Sequence, residues 1–289
     1  MSNIDESKST GERLLTGYFD KHSVEHLHRY AIAAGFSIGK KVLDIASGEG
    51  YGSNILAQHA SFVHGVDIDP KIIDHAKARY QRTNLRFLEG SADQIPLADR
   101  SVDFVVSFET LEHHDRHEEM YLEIKRVLAP EGVLMISTPD KKYFSDLTGH
   151  RNDYHVKELY REEFVELTRR YFRNVSISSQ ISSVCSVITD ADISGRLRVF
   201  NGDLQGFTAS EDLPTPAYHI CLASDGVLPR TEASVFETRQ LLSRMETEAI
   251  QLKRQLDQLT RVHSDLQGSM SLRLGRALLA PLRAVLRRD

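Results

Sequence analysis

The chain is short of cysteine: Cys185 and Cys221 are the only two in 289 residues. A single pair makes no disulfide framework, and such sparse use suits a reducing compartment. Long apolar runs are missing too. None reaches the ~18 residues of a membrane-spanning helix, and the N-terminal stretch MSNIDESKST lacks the apolar core of a secretory signal. A cytoplasmic protein is expected. Basic charge is scarce, with 36 Lys and Arg against 41 Asp and Glu, a net charge of −5. Neutralising phosphates needs a basic face, so nucleic acid is not expected as a partner. The exception is the C-terminal end, where Arg273, Arg276, Arg283, Arg287 and Arg288 meet one acid, Asp289.

What is present is a regular alternation. Between residues 41 and 139, the short apolar runs Lys41–Ala46, Ser61–Val66, Leu85–Leu88, Val102–Ser107 and Gly132–Ser137 are separated by amphipathic stretches such as Pro70–Tyr80 and His117–Leu128. Strands separated by helices at this spacing are βαβ units and predict an α/β fold, a doubly wound, mostly parallel sheet with right-handed crossovers. Pro130-Glu131-Gly132 is read as closing the helix before the fifth strand. A helix near Glu158–Arg170 and two strands, Phe172–Ser179 and Ala217–Ser224, complete the pattern as an antiparallel pair. Between them Ile181–Pro216 reads as an irregular insert, either a substrate lid or a long loop.

From Val235 the texture changes. Apolar residues recur at alternating +3 and +4 steps through Leu242, Met245, Ala249, Leu252, Leu256, Leu259, Leu266 and Met270, with Thr238 and His263 the polar members of the seam. That heptad pattern predicts a C-terminal coiled-coil helix and self-association through it. Beyond it, leucines on one side of Met270–Arg288 oppose the arginines on the other, the pattern of a helix lying on an anionic membrane surface or docking on a partner protein; Pro281 would kink it. The expected domains are 1–230, with 1–36 as an N-terminal helical cap, then a coiled coil at 231–270 and a basic amphipathic tail at 271–289.

The first strand flows into Asp44-Ile45-Ala46-Ser47-Gly48-Glu49-Gly50-Tyr51-Gly52. Glycines there let a strand-to-helix turn pass close to a ligand and present free amides at the helix start. The dinucleotide fingerprint would put its third glycine at Ser53, which weakens a nicotinamide or flavin reading. The second strand ends Val66-Asp67-Ile68-Asp69, a carboxylate placed to hold two ribose hydroxyls. The fourth ends Glu109-Thr110-Leu111-Glu112-His113-His114. A helical turn there would bring Glu109, Glu112 and His113 together. Two carboxylates and an imidazole suit Mg²⁺, Mn²⁺ or Zn²⁺; a helix N-terminus that simply favours acids is the competing explanation.

These ordered motifs, DIASGEGYG, GVDID, GSADQIPLADRSVDFVV and RVLAPEGVLMIST, resemble those of class I S-adenosylmethionine-dependent methyltransferases over roughly residues 35 to 225. The resemblance implies a Rossmann-like fold with S-adenosylmethionine as cofactor. Gly48 and Gly50 would face its methionine part with Asp44 behind, Asp67 would hold the ribose, and Ile68 would pack on adenine. Ser91 and Ala92 would meet the adenine edge, although many members carry Asp at position 91, and Phe108 would lie under the cofactor. E-x-x-E-H resembles two groups of metal-assisted O-methyltransferases, those acting on polyprenyl catechols and on small-RNA 3′ ends. From the second group His155 is implied as a fourth ligand beside Glu109, Glu112 and His113, with His114 and His150 as alternatives; His155 and His113 are the implied catalytic histidines.

The stretches Thr10–Arg13, Glu25–Tyr30 (EHLHRY) and HVKELYREEF resemble methyltransferases of bacterial surface-polysaccharide assembly. They imply O-methylation of a sugar hydroxyl at a glycan end, and the C-terminal tail would then reach the inner-membrane surface or a glycan-assembly enzyme as further partner. A catechol or quinone precursor is the alternative acceptor. A methyltransferase-like scaffold without activity is the alternative of another class.

Overall fold

The computed structural model describes residues 21–149, 151–182, 186–190, 199–203, 206–210, 216–230, 233–236, 251–256, 258–260 and 262–263. The chain divides into two compact units, Met1–Thr238 and Arg239–Asp289.

Among the described residues the first unit begins with α1 (Lys21–Phe36). β1 (Lys41–Ile45), α2 (Tyr51–Leu56), β2 (Phe62–Asp67), α3 (Pro70–Arg79), β3 (Leu85–Glu89), β4 (Val102–Phe108), α4 (His117–Val127) and β5 (Leu128–Pro139) follow as the expected βαβ series. α5 (Arg161–Tyr171) leads to β6 (Asn174–Ser182), β7 (Ser186–Asp190), β8 (Val199–Asp203), β9 (Gly206–Ser210), β10 (Tyr218–Ser224) and β11 (Ser234–Phe236). Nine strands form one sheet in the order β11-β7-β6-β10-β5-β4-β1-β2-β3. It is parallel across β3, β2, β1, β4 and β5 and antiparallel beyond. The strand order reverses between β1 and β4, and open α/β sheets bind ligands at the carboxyl ends of the strands at such a switch point.

Both faces of the parallel half are covered, which is why β4 reads as a nearly unbroken apolar run and exposes only Asp103. Leu43, Ile45, Val105 and Leu134 pack on one face with Met120, Tyr121 and Ile124 of α4 and Phe164 of α5. Val42, Phe104, Val106 and Met135 pack on the other with Tyr30 and Ala33 of α1 and Leu56 of α2. Alternation along β1 therefore turns Asp44 toward α1 and α2, on the same face as Val42. Among the described residues no helix is long and apolar enough to cross a membrane. Cys221 is buried and unpaired; Cys185 lies outside the described residues.

Several expectations need correction. α4 ends at Val127, before Pro130. Residues 128–132 instead form an irregularity at the start of β5, where the register with β4 jumps from Val102↔Leu128 to Phe104↔Val133. α5 starts at Arg161 rather than Glu158, because the Tyr160 amide is taken by the Glu163 side chain at 2.9 Å and residues before it belong to the loop. The described parts of the insert are regular: β6 runs on to Ser182 and pairs with β7, while β8 and β9 form a separate two-stranded sheet. Val235 is not the first seam residue of a helix; it pairs with Val187 in β11, at the edge of the sheet.

In the second unit, residues 251–256, 258–260 and 262–263 are helical, and Leu252, Leu256 and Leu259 are exposed by 65%, 64% and 66%. The expected tail, 271–289, and the first 20 residues lie outside the described residues.

Candidate active site

The turn after β1 contains three residues in the left-handed region, Ala46 (φ 55°), Gly48 (φ 53°) and Gly50 (φ 85°). A Cβ on Gly48 would meet nothing within 4 Å, so this glycine serves the backbone conformation and keeps the cavity side open. Gly50 is different. A Cβ there would lie 2.6 Å from the Phe87 ring, so this glycine packs the turn onto β3 and does not line the cavity as expected. Gly52 leaves room for Tyr30, whose ring would stand 2.0 Å from an added Cβ.

Asp67, at the end of β2, accepts from the Gly48 amide (2.9 Å) on one oxygen and from the Asp69 amide (3.0 Å) on the other. Ionised carboxylates accept up to about four hydrogen bonds, and Asp67 lines a cavity of about 450 Å³ together with Gly48, Ile68, Ser91, Ala92 and Phe108. Asp44 does not reach that cavity. It is fully buried, takes 2.7 Å and 3.1 Å hydrogen bonds from Ser53 and Tyr30, and burial pushes its carboxyl up to about 7 against the pull of those two donors.

The cavity has walls that the strand motifs did not reveal. His26 and Tyr30 come from α1, and Tyr51 from the start of α2. The Tyr30 ring stands edge-on to Phe108 at 5.0 Å and to Tyr51 at 5.6 Å, and the Tyr51 hydroxyl lies 3.1 Å from Nδ1 of His26. The signal was there in EHLHRY: His26 and Tyr30 are four apart and share a helix face. Asp93 and His114 also line the cavity. Ser91 donates to Asp93, which pairs with Arg116, and the Ser91 hydrogen bond holds the Asp93 carboxyl below its usual range. The acid at this end of the cavity is thus Asp93.

Where β4 exits the sheet, Glu109 adopts φ 52°. A non-glycine residue in that region is strained, and such strain collects at functional sites. The conformation carries its carboxylate to Ser137, whose hydroxyl donates at 2.6 Å, and to within 3.5 Å of Nη1 of Arg29. Arg29 is itself wholly buried, bonded to Gln180 at 2.8 Å with its guanidinium 5.0 Å from the Tyr218 ring centre. Glu109 is therefore not gathered with the other acid and histidines.

Those others do converge. Glu112, His113 and His155 present ligand atoms that lie within 4.8 Å of one another. Glu112 and His113 sit on a short 3₁₀ turn, Leu111–His113. The segment bearing His155 is fastened to it by the Val156 and Lys157 amides, which donate to the Glu112 carbonyl at 2.8 and 3.1 Å. Glu112 is buried and accepts from Thr138 at 3.2 Å; burial, with the Glu109 charge adding, pushes its carboxyl well above the usual range. Nδ1 of His113 bonds to the Tyr154 carbonyl at 3.1 Å, and its Nε2 is 3.9 Å from Glu112. His113 is also part of the cavity wall, as are His114 and Glu109. Burial lowers the His114 imidazole. His150 lies outside the described residues.

Residues 43–136 match the family described as "Methyltransferase domain". That segment, about a third of the chain, holds the glycine turn, Asp67 and Glu112.

A probable S-adenosylmethionine-dependent methyltransferase of Mycolicibacterium smegmatis is 37% identical over 168 residues, 55% of this chain and 62% of that protein. A fatty-acid O-methyltransferase of the same organism is 27% identical over 43% of this chain and 46% of its own length. A phthiotriol/phenolphthiotriol dimycocerosates methyltransferase of Mycobacterium leprae is 32% identical over 37% and 40%. The chain thus spans less than two thirds of each of these relatives. Among solved structures, the YcgJ protein of Bacillus subtilis shares the fold with a TM-score of 0.51 and 16% identity, over 72% of this chain and 100% of that one. A SAM-dependent methyltransferase from Thermotoga maritima does so at 0.51 and 17%, over 71% and 91%.

Proposed function

We propose that the protein is an S-adenosylmethionine-dependent O-methyltransferase acting on a sugar hydroxyl of a bacterial surface polysaccharide, with a divalent metal held by Glu112, His113 and His155. One observation carries this reading. His113 belongs both to the wall of the cavity that contains Asp67 and to the three-residue ligand cluster, so this one side chain links the two.

The residues fit the cofactor. Asp67 is an acceptor for paired ribose hydroxyls, and Ile68, 67% exposed, offers an apolar surface to the adenine. Ser91, Ala92 and Asp93 of the same cavity would meet the adenine edge, while Tyr30, Tyr51 and Phe108 would enclose the methionine part. S-adenosylmethionine, when bound, supplies an electrophilic methyl group. The chain then has to align the acceptor oxygen with it, which is an orientation effect. The cluster fits a divalent ion in donor chemistry, one carboxylate and two imidazoles. Such an ion lowers the pKa of an alkyl hydroxyl and makes it a nucleophile at neutral pH.

The sugar acceptor is supported by EHLHRY and HVKELYREEF, whose residues build the cavity wall and the cluster. A second reading is a lipid acceptor, favoured by the relatives named for fatty-acid and phthiotriol methylation. The acidic body supports neither RNA nor DNA as substrate. The basic C-terminal segment, by its sequence pattern, would keep the enzyme at the inner-membrane surface.

The test is transfer of labelled methyl from S-adenosylmethionine to purified surface polysaccharide and to lipid extract, before and after chelation. Label in the polysaccharide, lost on chelation and restored by Mn²⁺ or Zn²⁺, is the expected result. Label only in lipid moves the acceptor to the second reading. Full transfer after rigorous chelation removes the metal and leaves His155 as the leading general base.

A further inference from the structure

We propose that Glu158 is the positioning residue of the metal site: its carboxylate fixes His155 so that Nε2 faces the ligand cluster. The inference rests on the metal reading given above and adds a residue outside the ligand set.

Nδ1 of His155 lies 2.5 Å from Oε1 of Glu158, and both side chains are 8% exposed. With Nδ1 committed to the carboxylate, Nε2 is the nitrogen left for an ion. A ring nitrogen that donates to a carboxylate has its tautomer and orientation set, and its partner nitrogen becomes more basic. The ring is held on its other sides as well. Phe144 stacks on it at 5.3 Å and 26°, and His113 meets it edge-on at 5.2 Å.

Glu158 stands on braced backbone. The His155 amide donates to the Asn152 carbonyl at 3.1 Å, and Leu159 forms a bridge with Asp140 at the end of β5. The second imidazole has the same arrangement with a weaker acceptor, the neutral Tyr154 carbonyl on Nδ1 of His113. One of the two histidines therefore carries a charged outer partner. A His–Glu pair that only fastens the loop would be indifferent to an ion, and this difference decides the test.

Full-length protein is titrated with Mn²⁺, Zn²⁺ and Co²⁺ by calorimetry, and Co²⁺ loading is followed by its visible absorption. The unliganded protein's thermal unfolding is measured alongside. Glu158→Gln keeps an acceptor of nearly the same shape without the charge and should weaken metal binding by roughly 10- to 100-fold, the range typical of outer-shell partners. Glu158→Asp keeps the charge at a shorter reach and should fall between it and the parent, with a shifted Co²⁺ spectrum. His155→Ala should bind the ions weakest of all. If the parent binds none of the three ions, the metal reading falls and this inference with it. If the parent binds and Glu158→Gln and Glu158→Asp bind equally well, only the role of Glu158 is overturned. A lowered unfolding temperature with unchanged metal affinity identifies a loop fastener and overturns it too.

Discussion

The Tyr30 hydroxyl lies 3.1 and 3.3 Å from the two carboxylate oxygens of Asp44, joining the N-terminal helix to the first strand inside the core. Ser53 adds a third contact at 2.7 Å. Even so, burial dominates and lifts the Asp44 carboxyl to about 7.

That shift has a stability consequence. The folded state binds the Asp44 proton more tightly than the unfolded chain does. The resulting stabilisation is complete below the ordinary aspartate pKa, ~4, and is lost as pH rises toward about 7. A gap of that size corresponds to on the order of 4 kcal/mol. Urea midpoints should therefore fall between about pH 4 and 7 in the parent, level off above, and fall much less in Asp44→Asn. Tyr30→Phe removes one donor and should extend the decline to higher pH. An identical decline in parent and Asp44→Asn assigns it to another group.

Asp67→Ala should weaken S-adenosylmethionine binding by ~2–4 kcal/mol, since charge-assisted hydrogen bonds contribute ~1.5–3 kcal/mol each and are not fully additive. The same change leaves the Gly48 and Asp69 amides without their carboxylate partner. Calorimetry is the measurement, and an unchanged dissociation constant refutes the ribose assignment.

Gly50→Ala should destabilise the fold by about 2–4 kcal/mol, combining the left-handed backbone cost with overlap against Phe87. Phe87→Leu in the same chain should recover part of that loss. Denaturant unfolding reads both, and a loss below ~1 kcal/mol would show that the turn relaxes without strain.

Leu252, Leu256 and Leu259 present an exposed apolar stripe at heptad spacing. Full-length protein should sediment as an oligomer, and Leu252→Asn with Leu259→Asn should return it to monomer. Equal masses for the two proteins would leave this helix without a self-association role. A truncation made for the same purpose has to retain β11, because cutting at Val235 removes sheet.

Much of the fold was legible because its signals are local. The apolar runs and their helical spacers are periodicities of a few residues, and they locate β1 to β5 within a few positions of where they lie. The glycine turn and Asp67 are likewise short-range signals at the ends of neighbouring strands, so a parallel register of β1 and β2 suffices to bring them together. The rest depended on contacts between distant segments. Glu109 was grouped with Glu112 and His113 by helical spacing, but its left-handed turn and the buried Arg29, 80 positions earlier, draw it aside. Val235 fits a heptad by spacing alone, yet the open edge of β7 offers unpaired backbone groups and takes it as a strand. His26 and Tyr30 acquire their place in the cavity only when α1 packs over β4 and α2. The sequence by itself determined the parallel half-sheet and its ligand-facing turn, since neighbouring residues carry that information; which side chains share the cavity was decided by tertiary packing, since no spacing along the chain encodes it.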